Sequence, residues 1–246
     1  MARPKTILIT GAAGSIGRSL RDHLTNRYRL RLMYHTTVLP ARDGNDVVVA
    51  DITQLDQVQP SMDGIDAVVH MAGNPRMRAT HEEVLQANML GTYVVYEAAR
   101  RAKVPRVVFA STNHVTGQYE RDGLPVDPSM PVRPDSYYGA SKAYGEALGR
   151  YYADALGVSV ICLRIGSFLE QPTTERNLST WMSPRDMAQL TWRAIETDVP
   201  FGIYYGISGN TRRQWSIDNA IADLGYAPDD DAERFAEQIL DAGNER

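Results

Sequence analysis

The stretch "TGAAGSIG" (10–17) places Gly11, Gly14 and Gly17 between an apolar run, "KTILIT" (5–10), and a helical stretch that starts near Ser15. Few other features restrict the fold as much. Glycines at this spacing let a chain leave a strand, turn tightly and enter a helix whose free N–H groups and positive dipole end suit a pyrophosphate. Gly11, Ala13, Gly14, Ser15, Ile16 and Gly17 are therefore the expected phosphate-side contacts of a dinucleotide.

The rest of the chain keeps the rhythm that such a loop requires. β-Branched runs at 30–35, 46–51, 66–72, 106–111 and 158–164 alternate with helical stretches at 54–59, 81–103 and 136–155. Alternation of this kind predicts βαβ units, and near-continuous apolar strands predict burial on both faces of a parallel sheet. The expected fold is α/β, a Rossmann-type doubly wound parallel sheet. Residues 1–165 form its dinucleotide-binding part. Residues 166–246 read as a smaller substrate-binding cap integrated on the same sheet: a loop (166–184), a helix (184–197), a strand (201–208) and two closing helices (216–224 and 231–241).

Composition narrows the class. A chain of 246 residues with 43% hydrophobic and 23% charged residues can bury a sizeable core. Its net charge of -4 gives no footprint for nucleic acid or an anionic membrane, and no window reaches a membrane span. Cys162 is the single cysteine, so an internal disulfide is excluded and a cytoplasmic location is expected. No His and carboxylate cluster has metal-ligand spacing, so no metal is expected.

At the end of the second strand, where dinucleotide folds usually place a carboxylate for the adenosine ribose, the chain has Met33, Tyr34 and His35. Without that carboxylate a 2'-phosphate could be accommodated beside His35 or Arg42, so the expected cofactor is NAD or NADP. Tyr34 is expected to pack beside the adenine. Asp51, ending the third strand, with Ile52 extends the cofactor wall.

"SYYGASK" (136–142) then raises a choice between two tyrosines. Residues four apart share a helix face, so Tyr138 and Lys142 can meet while Tyr137 is rotated away. An ammonium stabilises a phenolate, and such a pair could supply a base near neutral pH. By itself, a Tyr–Lys pair at this spacing usually only decorates a solvated face.

Read in order with the glycine loop, "HMAG" (70–73), "ANMLGT" (87–92), "FASTNH" (109–114) and "YGASK" (138–142) resemble the extended short-chain dehydrogenase/reductase family. More narrowly, "ASTNHVTG", "LRIGS" and "ERNLSTWMSPRD" look like the uronate dehydrogenases and related archaeal sugar and sugar-phosphate dehydrogenases. The resemblance implies Tyr138 as base and Lys142 as the group that lowers its pKa and holds the nicotinamide ribose. Thr112 stands where the family has a serine, with Ser111 as the fallback. Met71, Ala72, Gly73 and Ile165 complete the implied cofactor wall. Asn88 either supports the lysine through water or caps local backbone. His70 reads as a structural histidine, and His114 as facing substrate or tying down its loop.

The same resemblance implies an oxidation at C1 of a cyclic sugar, giving a lactone. Asn74, Arg76, Thr112, Asn113, His114, Ser167 and Arg176 are its implied substrate contacts. Arg176, nine residues after Ser167, is expected to fork onto the acid group of an anionic sugar. The turn "NPRMR", with Arg76 and Arg78, instead suits a phosphate and keeps an aldose 6-phosphate open; an epimerase or dehydratase retaining bound NAD is a further alternative. A homo-oligomer built on the long helices is expected.

Overall fold

The computed structural model describes residues 3–40 and 45–244; Arg42 lies outside the described residues. Seven parallel strands form the main sheet: β1 (Thr6–Thr10), β2 (Arg29–Tyr34), β3 (Asp46–Val49), β4 (Ala67–His70), β5 (Arg106–Thr112), β6 (Ser159–Ile165) and, after two short strands, β9 (Phe201–Gly206). The short pair, β7 (Ser167–Phe168) and β8 (Trp181–Met182), forms a separate parallel ladder. Strand order in the main sheet is β3-β2-β1-β4-β5-β6-β9. The order reverses direction between β1 and β4, and the crevice at such a switch point is where doubly wound sheets take their ligands.

Helices cover both faces. They are α1 (Ser15–Leu24), α2 (Leu55–Val58), α3 (His81–Val84), α4 (Gly91–Arg101), α5 (Gly117–Arg121), α6 (Tyr137–Leu156), α7 (Asn177–Thr180), α8 (Pro184–Glu196), α9 (Asp218–Leu224) and α10 (Ala236–Asn244). One core layer gathers Ile7, Ile9, Val108 and Ile161 with Leu20, Leu190 and Leu224 from α1, α8 and α9. The other sets Leu8, Val107, Phe109 and Val160 against Val95 and Tyr96 of α4 and Tyr152 of α6. Adjacent strand residues thus feed opposite layers, and β5 is buried along all seven residues. Each such aliphatic or aromatic side chain contributes about 1.5–3 kcal/mol on burial.

Two stretches depart from the sequence reading. The expected helix over 81–103 is interrupted by a π-helical segment at Leu85–Leu90 between α3 and α4. A one-residue bulge hardly disturbs hydrophobic spacing, so periodicity does not reveal it. The expected loop 166–184 contains β7, α7 and β8; elements of two to four residues are too short to show a period. Among the described residues no helix is long and apolar enough to cross a membrane.

Candidate active site

The β1–α1 turn carries the first part of the site. Gly11 has φ +67°, and a Cβ there would lie 2.7 Å from the Ala72 nitrogen, so only glycine lets the turn lie against the segment after β4. Ala72 N–H in turn donates to the Thr10 hydroxyl at 3.2 Å. Helix α1 begins after Gly14 with no side-chain cap and no acidic residue in its first turn. Its uncapped end, with no carboxylate in its own first turn, fits a pyrophosphate. Farther along the sheet edge, Asp51 accepts from both the backbone and the hydroxyl of Thr53 at 2.9 Å, and these bonds hold its carboxyl below the usual range.

Tyr34 departs from its expected place. It is 2% exposed and packs in the α1-side core, with its hydroxyl buried and unpartnered. Its neighbours Leu30 and Leu32 belong to the same layer, since alternate residues of a strand share a face. The next residue, His35, is exposed and lies 4.0 Å from Asp51.

The second wall is built by β5 and α6. Ser136 caps α6 by accepting from Gly139 N–H at 3.0 Å, which starts the helix so that Tyr137 points outward, 60% exposed, and Tyr138 faces a cavity of about 250 Å³. Thr112, Asn113, His114, Lys142, Ile165 and Met71 line the same cavity. The Thr112 hydroxyl accepts from His114 N–H at 3.3 Å and is hydrogen-bonded to the Tyr138 phenol. Burial pushes the Tyr138 phenol above its usual pKa, and the Thr112 hydroxyl pulls it back down. That differs from the expectation that Lys142 would do so. The Lys142 ammonium lies 4.8 Å over the Phe109 ring and 6.0 Å from the Tyr138 ring centroid, and burial lowers it to about 8. Its buried position leaves it partly neutral at mildly alkaline pH.

Asn88, inside the π-helical segment, ties these walls together. Its Oδ1 accepts from Asn74 N–H at 2.7 Å, while Nδ2 donates to the Asn74 carbonyl at 3.1 Å and to Ser141 Oγ at 2.9 Å. Gly73 is at φ +152°, and a Cβ there would meet Asn88 Oδ1 at 2.9 Å. The amide therefore pins the post-β4 loop beside Lys142; its bonds reach another loop and another helix, so it does not cap backbone inside its own helix. Ser111, the fallback for Thr112, is committed elsewhere, donating to Glu146 at 2.6 Å. His70 is wholly buried between the hydroxyls of Thr10 and Thr92 (2.8 and 3.4 Å), as a structural histidine would be.

Two arginines expected at the substrate are held by carboxylates. Arg76 pairs with Glu83 on the surface, and Asn74 turns its Oδ1 to Arg76 N–H at 3.1 Å. Arg176 forks onto Glu120 (Nε–Oε1 2.6 Å, Nη2–Oε2 3.0 Å) and donates to Ser167 Oγ at 3.2 Å. Neither guanidinium is among the side chains lining the cavity. Sequence reasoning missed Glu120, which lies on α5 in a stretch without a motif. It also missed Asp135, which contacts His114 Nδ1 at 3.1 Å and sits just before the Tyr138 helix.

A parallel sheet with a glycine loop at its switch point, and Tyr138, Lys142 and Thr112 gathered at one cavity, defines a Rossmann-type dinucleotide-binding fold carrying the tyrosine–lysine pair of nucleotide-dependent sugar enzymes. The chain belongs to the NAD dependent epimerase/dehydratase family, which matches residues 7–215. It is similar to uronate dehydrogenase of Pseudomonas syringae pv. tomato, 41% identical over 95% of this chain and 85% of that protein. It also resembles the NAD-dependent glucose-6-phosphate dehydrogenase of Haloferax volcanii, 38% identical over 93% of this chain and 95% of the relative. Among solved structures, a tyrosine-to-alanine mutant of uronate dehydrogenase from Agrobacterium tumefaciens complexed with NAD superposes with a TM-score of 0.90 at 35% identity, covering 96% of this chain and 89% of that one. The family and fold expected from the motifs are thereby borne out, and these relatives are sugar dehydrogenases.

Proposed function

We propose that the chain is an NAD-dependent dehydrogenase that oxidises C1 of a cyclic sugar to a lactone. The observation that carries this reading is the convergence of Tyr138, Thr112 and Lys142 on one cavity beside the glycine loop. When bound, NAD supplies the hydride acceptor and a positively charged ring. Thr112 turns its hydroxyl from Tyr138 to the reacting C1 oxygen and fixes its position. Tyr138 takes the hydroxyl proton as that oxygen becomes the lactone carbonyl. Lys142, charged at neutral pH, holds the cofactor's ribose, while Asn88 keeps the adjoining loop in place. Asn113, His114 and Ser167 bind the remaining hydroxyls.

The sequence reading of an anionic substrate rested on Arg176, and that of a sugar phosphate on Arg76 and Arg78; none of the three lines the cavity, so the reading here is a sugar. NAD is favoured over NADP, since the Asp51 carboxylate lies 4.0 Å from His35 at this edge, where it would repel a 2'-phosphate. The exposed aromatic residues Tyr93 on α4 and Tyr151 on α6 are where we place the expected self-association. The test is an absorbance screen for reduced cofactor, crossing uronic acids, neutral aldoses and aldose phosphates with NAD and NADP. Stoichiometric reduction by at least one sugar is expected. Sugar conversion without net reduction would instead indicate an epimerase, and no conversion at all would defeat the reading.

A further inference from the structure

Glu120 and Arg176 stand just behind the sugar cavity and touch its wall at two points. On one side Asn113, a lining residue, donates its amide to Glu120 Oε2 at 3.3 Å. On the other, Arg176 reaches Ser167, which lies between the lining residues Gly166 and Phe168 and is itself bonded to Thr180 at 2.9 Å. The glutamate takes the Nε and Nη2 edge of the guanidinium, the geometry in which a carboxylate and an arginine fit best. A sugar acid group would have to displace a carboxylate already seated there, or approach a guanidinium whose charge is cancelled. A neutral sugar meets no such competitor, and Asn113 and Ser167, the two ends of the Asn113–Glu120–Arg176–Ser167 chain, offer hydroxyl partners.

We propose that Glu120 is a specificity-determining residue, which withholds Arg176 from the cavity and tilts the enzyme toward sugars without an acid group. The inference rests on the sugar dehydrogenase reading and refines its substrate class. Half-exposure of Arg176 and the lower exposure of Glu120 (45% and 23%) keep the pair exchangeable rather than locked, so removing one charge should release the other.

The test uses the full chain with saturating NAD and measures kcat/KM for D-glucuronate and D-glucose in the wild type, Glu120→Gln and the double variant Glu120→Gln/Arg176→Ala. Glu120→Gln is expected to raise the glucuronate-to-glucose ratio about tenfold, through KM for the acid, and the added Arg176→Ala to return it to the wild-type value. An unchanged or lower ratio in Glu120→Gln, or a gain that survives loss of Arg176, would overturn the proposal. Calorimetric binding of D-glucuronate to the NAD-loaded proteins runs in parallel. Should no sugar be oxidised by any variant, the dehydrogenase reading fails, and the calorimetry still decides: tighter glucuronate binding by Glu120→Gln supports the role of Glu120, and equal or weaker binding refutes it. Glu120→Ala serves as the second variant if Glu120→Gln does not fold.

Discussion

Arg164 and Arg176 each fork onto a glutamate through Nε and Nη2, yet the two pairs occupy opposite regimes. Arg164 and Glu146 are 1% and 3% exposed, with N–O distances of 2.9 and 2.8 Å, and they join β6 to α6 directly behind the catalytic wall. Ser111 donates to the same glutamate, so β5 is bound in as well. Arg176 and Glu120 lie at the cavity rim in contact with solvent. In the interior, loss of one partner leaves an uncompensated charge in low dielectric; at the rim, water takes its place. Identical chemistry thus gives a permanent weld in one region and an exchangeable contact in the other.

The comparison is most easily broken by truncating the buried glutamate. Glu146→Ala should cost about 3–5 kcal/mol in urea unfolding, because Arg164 is left buried and unpaired. A loss below about 1 kcal/mol would show that water reaches the site. Tyr138→Phe tests whether the wall supported by that weld does chemistry. We expect kcat to fall by about 10²–10⁴-fold with stability and NAD affinity retained, and a variant keeping most of its rate would remove Tyr138 from its role.

A third prediction concerns pH. Burial depresses His70 from 6.5 to about 3. The unfolded chain therefore binds a proton that the folded chain refuses as pH falls below 6.5, so the stability contributed by the neutral ring is complete above 6.5 and is lost toward about 3. That loss amounts to about 2 kcal/mol by pH 5. Ring resonances of His70 should stay flat from pH 8 to 5 while stability declines; a ring titrating near 6.5 would contradict its burial. The smallest effect belongs to the rim, where Glu120→Ala should change unfolding free energy by less than about 1 kcal/mol. A cost matching that of Glu146→Ala would erase the contrast between the pairs.

Much of this site was legible before any coordinates. The glycine loop and the Tyr138–Lys142 spacing are local: strand, turn and helix geometry place those residues whatever surrounds them. Thr112 and His114 came from the motif resemblance of "FASTNH" and not from spacing. What escaped depends on distant contacts. Arg176 and Glu120 are 56 residues apart, and no periodicity relates a loop arginine to a glutamate on a five-residue helix. Tyr34 sits at the expected strand end, but the side to which its ring turns is settled by the α1 core layer.

The sequence by itself determined a parallel dinucleotide fold and a tyrosine facing one way with its lysine, since backbone turns and helical pitch act within a few residues. Only the tertiary structure decided which charges are free to meet a substrate. Pairing between side chains far apart in the chain is set by where packing brings them, and by how much water remains when they arrive.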